Sequence, residues 1–259
     1  NVQPHSGAQA NMAAYFATLW LVKDRFYRAW SSSLGSTAYK CAWLAALGML
    51  LVNPILVFTL SSRLILGYLP TNLWHNPTYV LMRPFALWLF FFIEDHWDQR
   101  INGKAWATVA LMSYLIIFAK PNFMLSLLPA LAIFYTLRRG SPRHWNWPLL
   151  TAVGLPAFFS LVYQYWFMSF YPSESYFAFG PFIGALYYTK NLLLYFLFLL
   201  LSILFPVLIS VFGWKHLREQ AWFQLSWLNF SVALLTFWLF VEQPHIGMLN
   251  FMWGLVMAS

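Results

Sequence analysis

Charged residues are scarce in this sequence. Asp, Glu, Lys and Arg make up only 8% of the 259 residues, whereas 61% are hydrophobic and 21% are aromatic. A soluble domain has about a quarter of its residues charged, so this chain cannot cover a water-exposed surface in the usual way. We therefore predict an all-α fold, a polytopic bundle of transmembrane helices with no soluble domain.

Cysteine is also rare, and the common nucleotide-binding motifs are missing. Cys41 is the only cysteine, which excludes an internal disulfide and a cysteine-based metal cluster. Walker, Rossmann and nucleophile-elbow motifs are absent, so the sequence does not support chemistry on a soluble nucleotide. The run IEDHWDQR resembles a metal site in composition, but we interpret it as a solvated charged loop that ends a helix.

Long apolar runs account for most of the chain. A helix that crosses the hydrocarbon core needs about 20 apolar residues, and about eight segments are candidates. They are 9–22, 42–61, 79–93, 105–119, 122–137, 147–168, 189–212 and 221–241. We interpret 1–259 as a single transmembrane domain, and because the chain opens at Asn1 and stops at Ser259 within an apolar stretch, we expect a fragment truncated at both ends.

The connections between these runs alternate in charge. The positive-inside rule assigns the connections rich in Lys and Arg to the cytoplasm. That side receives Lys23, Arg25, Arg28, Lys40, Arg100, Lys104, Arg138, Arg139, Arg143, Lys215 and Arg218, leaving Arg63, Arg83, Lys120 and Lys190 outside. We therefore predict a multi-pass protein of the plasma (inner) membrane in which basic residues set topology and do not bind nucleic acid.

Lys120 is the most informative residue on the outer side. It lies in the tight turn of AKPNF between two predicted spans, where a charge is costly and usually faces a partner or a watery cavity. A lipid phosphate suits its ammonium, and the forked guanidinium of Arg83 suits phosphate as well. Alternatively, Lys120 snorkels to the surface, and Arg83 anchors the interface or pairs with Glu242 or Glu174.

The segment NLWHNPTYVLMRPFALW supplies further outer candidates. His75 and Asn76 could bind phosphate or sugar hydroxyls, although Asn76 and Thr78 would also serve as helix caps. The rings of Trp74 and, just upstream, Tyr68 could stack on a sugar or belong to an ordinary interfacial belt.

The last external segment, FVEQPHIGMLNFMWG, adds Glu242 and His245. A carboxylate and an imidazole could form an acid–base pair. Together with His75 they could also ligate a metal, but their spacing does not favour one, and we predict no metal and no cofactor.

Three of these motifs resemble a known family. LWHNPTYVLMRPFAL, AKPNFMLSLLPAL and the late NFMWG are similar to stretches of GT-C-type membrane glycosyltransferases, over residues 60–259. The resemblance implies transfer of a sugar from a polyprenyl-phosphate donor to a glycan, lipid or protein acceptor at the extracytoplasmic face. It also implies that Lys120, and less directly Arg83 and His75, hold the lipid phosphate.

The chain departs from that family at its start. The catalytic carboxylate of the family lies in the first external loop, whereas the opening NVQPHSGAQANMAAYF has no Asp or Glu. The base therefore stays unknown, with Glu242 and Glu174 as weak candidates. A non-catalytic transporter, flippase or scaffold for a lipid-linked glycan is the alternative; an ion channel has little support, because no filter-like segment is present.

Overall fold

The computed structural model describes residues 3–51, 77–170 and 176–243, and these residues are mostly helical. This confirms the all-α prediction at the level of fold class. In chain order the elements are α1 (Gln3–Leu34), α2 (Ala38–Leu51), α3 (Pro77–His96), α4 (Gly103–Ala119), α5 (Asn122–Arg139), α6 (Trp147–Phe170), β1 (Tyr176–Phe179), α7 (Ile183–Thr189), α8 (Leu192–Ser202), α9 (Leu204–Leu217), α10 (Ala221–Leu239) and β2 (Phe240–Gln243).

The first helix is longer than the predicted span 9–22. It continues to Leu34 and packs against α2 and α3. The charged residues after position 22 can lie in the helix because other side chains interact with them. The buried ammonium of Lys23 lies 3.9 Å from the ring centroid of Trp20 and 5.7 Å from that of Trp43 on α2, an arrangement in which cation–π attraction compensates for lost water.

The main core lies among α3, α4, α5 and α6, with α10 packed against α5. Residues such as Leu89, Ile116 and Leu127 are completely buried there. Helix limits follow local chemistry: the Asn102 side chain accepts a hydrogen bond from the Ala105 amide at 2.9 Å and begins α4, and Gly140, at a positive φ of 64°, ends α5.

The α3–α4, α5–α6 and α9–α10 connections meet at one end of the bundle, which we call the basic end, and the second half of α1 with the start of α2 packs beside it. Arg25 of α1 forms ion pairs with Glu94 and Asp95 at the end of α3. The Asn146 amide, just before α6, donates to the Gln99 carbonyl at 2.7 Å in the α3–α4 connection. Carboxylates of IEDHWDQR are thus used in ion pairs that join helices.

Two arginines at the end of α5 complete the basic end. Arg138 donates to the Gln224 side chain of α10 at 2.7 Å and to the Glu219 carbonyl, and Arg139 forms an ion pair with Asp98. Both guanidinium groups lie against the Trp97 ring, at 5.6 Å and 5.1 Å from its centroid. The α3–α4, α5–α6 and α9–α10 connections are therefore tied together by side chains.

The predicted span 189–212 is divided between two helices, α8 and α9. The chain bends by 61° between α8 and α9. Pro206 explains the bend, because it has no N–H to donate to the carbonyl of Ser202 four residues earlier and its ring clashes with that carbonyl. The ring clash and the missing bond both fall at the junction where α8 ends and α9 begins.

The region opposite the basic end contains a short two-stranded ribbon that the sequence analysis missed. β1 pairs antiparallel with β2, with Phe177 opposite Glu242 and Ala178 opposite Val241. The predicted span 221–241 therefore ends as a helix at Leu239, and β1 and α7 lie between the predicted spans 147–168 and 189–212, with α7 ending at Thr189. Gly180 follows β1 where a Cβ would lie 2.6 Å from an Ile183 methyl carbon, so a larger residue here would displace the Ile183 side chain.

The capacity to cross a membrane is shown for part of the bundle. Among the described helices, Trp147–Phe167 of α6 is long and apolar enough to span a bilayer, and α8 with α9 is a second such segment if the bent pair counts as one span. Large exposed rings, including Tyr165 of α6 and Phe212 of α9, at 82% and 84% exposure, suit contact with lipid rather than water. The finer prediction of about eight spans stays a prediction, and the parts of span 42–61 beyond Leu51 lie outside the described residues.

Candidate functional site

Lys120 ends α4 at the end of the bundle opposite the basic end, which we call the Lys120 end. Its amide donates to the Ile116 carbonyl at 2.8 Å, and its backbone is extended. Pro121 follows, and a residue before proline is disfavoured in helical conformation, so α4 stops here. Because α5 starts at Asn122, the turn holds the ammonium between two core helices.

The Lys120 side chain is buried, with 8% of the residue exposed. Burial lowers the pKa of Lys120 from its ordinary value to about 8, because a low-dielectric environment disfavours the charged form. The prediction that Lys120 merely snorkels to the surface fits a side chain of this burial poorly. An anion that approaches this group would recover charge stabilisation lost on desolvation.

Arg83 lies on α3, half-buried between the buried residues Met82 and Pro84. Since α3 and α4 pack against each other and α3 ends at the basic end, Arg83 lies toward the Lys120 end of the neighbouring helix. Its guanidinium makes no ion pair with any carboxylate of the described residues, Glu242 included. The structure therefore places Arg83 and Lys120 at the same end without joining Arg83 to an acid.

Glu242 is the one carboxylate that the described residues place at the Lys120 end. It lies half-buried on β2, directly after α10, and its backbone is opposite Phe177. The other described acids, Asp24, Glu94, Asp95, Asp98 and Glu219, lie at the basic end in ion pairs. Of the two weak catalytic candidates, Glu242 lies at this end and Glu174 lies outside the described residues.

Several predicted site residues lie outside the described residues. They are Tyr68, Trp74, His75, Asn76, Glu174 and His245. Of the three residues that the family resemblance implies for the lipid phosphate, the structure therefore describes only Arg83 and Lys120, which lie toward the same end of the bundle.

Exposed aromatic rings are concentrated on the ribbon. Tyr176, Phe177 and Phe179 of β1 and Phe240 of β2 are all exposed, beside Glu242. Phe182, which follows the ribbon, has a left-handed backbone with φ 59° and packs against Trp238. The aromatic run YFAFGPF, with glycine and proline at its end, carries a strand signal that an apolar-run search overlooks.

Gln164 of α6 is a second residue at this end that deserves a functional interpretation. Its amide nitrogen lies 3.5 Å from the Ile117 carbonyl, three residues before Lys120. An amide on an otherwise ring-covered helix segment adds a hydrogen-bond donor and an acceptor beside the last turn of α4.

Comparison with known proteins adds no relative: no protein-family model matches the chain, and neither a curated protein nor a solved structure resembles it significantly.

Proposed function

We propose that this protein is a GT-C-like integral membrane glycosyltransferase that moves a sugar from a polyprenyl-phosphate donor to an acceptor at the extracytoplasmic face. The observation that carries the proposal is the buried ammonium of Lys120 at the turn between two core helices. A cation at the edge of an apolar bundle suits an anionic group attached to a lipid tail. The phosphate can contact the cation while the tail contacts the apolar surface of the helices.

The chemistry needs a cation and a base at one end of the molecule. The acceptor hydroxyl oxygen bonds to the anomeric carbon while the bond from that carbon to the phosphate oxygen breaks. The lipid phosphate leaves with the electron pair, and Lys120 stabilises its charge. Glu242 takes the proton of the acceptor hydroxyl as general base, and Arg83 and Gln164 supply further polar contacts.

The exposed rings of the ribbon fit the same substrate. Sugars present C–H faces that pack on aromatic rings, and the ribbon exposes Tyr176, Phe177 and Phe179 next to the proposed base. These side chains also suit the headgroup depth at which aromatic belts lie, so they would hold the sugar at the membrane surface and not within the bilayer.

A transporter or flippase for the same lipid-linked substrate is the second candidate, and the α8–α9 bend favours it. Broken helices are typical of transport sites near the middle of the bilayer. At this break the Ser202 hydroxyl is buried and has no hydrogen-bond partner among the described residues. Both candidates use Lys120 to hold the phosphate, so they differ only in what happens after binding.

The decisive experiment measures binding and turnover of a polyprenyl-phosphate sugar by the reconstituted protein. We expect Lys120→Gln to weaken binding at least about tenfold, because the ammonium contributes a charge-assisted contact. Lys190→Gln is the matched control, since Lys190 is an exposed cation after α7 at the same end, and it should bind as the unmodified chain does.

Glu242→Gln then separates the two candidates. It should abolish sugar transfer while leaving binding intact if the protein is a transferase. Movement of the donor across the bilayer that is unaffected by Glu242→Gln, with no transfer by the unmodified chain, would establish the transporter. Equal binding by Lys120→Gln and the unmodified chain would refute the phosphate site.

A further inference from the structure

Ion pairs and hydrogen bonds within the basic end occupy only part of its cations. Arg25 and Arg139 pair with carboxylates of the α3 end and the α3–α4 connection, and Arg28 pairs with Asp24. Arg138 is held by the Gln224 side chain and the Glu219 carbonyl. The nearby acids are thus already in contact with these arginines, or with Arg218 at 3.5 Å in the case of Glu219.

Five other cations of the basic end are exposed, and their side chains have no hydrogen bond or ion pair with any residue that the structure describes. We call them the cation ring: Lys40, Arg100, Lys104, Arg143 and Lys215. Arg100 and Arg143 lie in the α3–α4 and α5–α6 connections, Lys40 and Lys104 lie near the starts of α2 and α4, and Lys215 lies in the last turn of α9. The positive charge is therefore spread around the basic end and not concentrated on a single helix.

Exposed aromatic residues accompany the ring. Tyr39 precedes Lys40, Trp214 precedes Lys215, and Trp147 starts α6 close after Arg143, with exposures of 49%, 54% and 49%. Trp222, at the start of α10, is exposed as well. Tryptophan and tyrosine with one apolar and one polar side settle at the headgroup level of a bilayer, so these rings place the cations at that depth.

We propose that the cation ring binds the phosphate groups of anionic phospholipids in the leaflet around the basic end. The ring offers five outward charges with no competing acid in contact, and polybasic segments near a membrane surface attract anionic lipids in this way. The accompanying exposed tryptophans favour a lipid as the partner. Binding of a nucleic acid or of an acidic soluble protein would not require aromatic rings at headgroup depth. The inference rests on a membrane location and is independent of the chemistry at Lys120.

Boundary-lipid selectivity of the full chain in proteoliposomes tests this proposal. Spin-labelled phosphatidylglycerol and spin-labelled phosphatidylcholine report, by electron paramagnetic resonance, which headgroup the protein prefers. We expect a preference for phosphatidylglycerol that falls at least about threefold in the triple variant Lys104→Gln, Arg143→Gln and Lys215→Gln, and that also weakens at high salt.

Two controls keep the result interpretable. The charge-conserving variant Lys104→Arg, Arg143→Lys and Lys215→Arg should retain the preference, which separates charge from any effect on folding. Lys190→Gln removes one exposed cation from the opposite end and should change nothing. An unchanged preference in the triple variant, or an equal loss in Lys190→Gln, would overturn the proposal.

Discussion

Two lysines at one end of the molecule illustrate how position decides the chemistry of a side chain. Lys120 lies in a two-residue turn between core helices and is buried, whereas Lys190 follows the short helix α7 and is exposed. The buried ammonium of Lys120 loses most of its hydration, and this burial lowers its pKa to about 8. A desolvated cation gains far more from an arriving phosphate than a hydrated one does.

The pH dependence of donor binding follows from the pKa of Lys120. Below about pH 8 the free protein carries the charged ammonium, and above it the neutral amine predominates. We therefore expect the affinity for a polyprenyl phosphate to fall as the pH rises from 7 to about 9.5, by about tenfold for each unit beyond the pKa. Equilibrium binding to the reconstituted protein over this range measures the effect.

Lys120→Arg is the matched variant for that measurement. Arginine stays charged throughout the range, so the variant should retain its affinity up to pH 9.5. A parallel decline in both proteins would mean that another group titrates, and the assignment to Lys120 would be wrong.

At the scale of elements, asparagines before helices serve two different purposes. Asn191 caps α8 by accepting from the Leu193 amide at 2.8 Å. Asn146 accepts from the Leu149 amide at the start of α6, but its nitrogen also donates to the carbonyls of Gln99 and His96. One side chain thus begins a helix and fixes the preceding connection.

The two asparagines predict unequal losses of stability. Asn191→Ala should lower the free energy of unfolding by about 1 kcal/mol, the usual value of a cap. Asn146→Ala should lower it by about 3 kcal/mol, because the contacts to the α3–α4 connection are lost as well. Reversible unfolding in mixed detergent micelles measures both, and equal losses would contradict the role assigned to Asn146.

Elements made of local apolar runs were predictable from the sequence, and elements that need distant partners were not. The helices α3 to α6 follow predicted spans because caps, Pro121 and Gly140 fix their limits locally. The ribbon depends on pairing between strands on either side of α7–α10, which no local pattern encodes. The burial of Lys120 was predictable from its turn, whereas the position of Glu242 opposite Phe177 was not.

At the scale of the whole molecule, different interactions stabilise the two ends of the bundle. Side-chain ion pairs and hydrogen bonds join the connections of the basic end. At the Lys120 end, pairing between the backbones of β1 and β2 joins distant parts of the chain. Most of the charged residues that the structure describes therefore lie at one end. This asymmetry suits a protein with a fixed orientation in its membrane.

Orientation is directly testable by cysteine labelling. In a Cys41→Ala background, Lys190→Cys and Lys104→Cys each introduce one thiol at an exposed position, at opposite ends of the bundle. We expect a membrane-impermeant maleimide to label the former in right-side-out vesicles and the latter only after permeabilisation. Labelling of both from the same side would contradict the proposed topology.

The ribbon also constrains how the protein is made. Its first strand leaves the ribosome before α7 to α10, and its second only after them. No partner for Tyr176–Phe179 exists until α10 has been synthesised, so the backbone groups of β1 must wait while four helices are made. Closure of the ribbon therefore follows the synthesis of α7 to α10, and misplacement of any helix between the strands would prevent it.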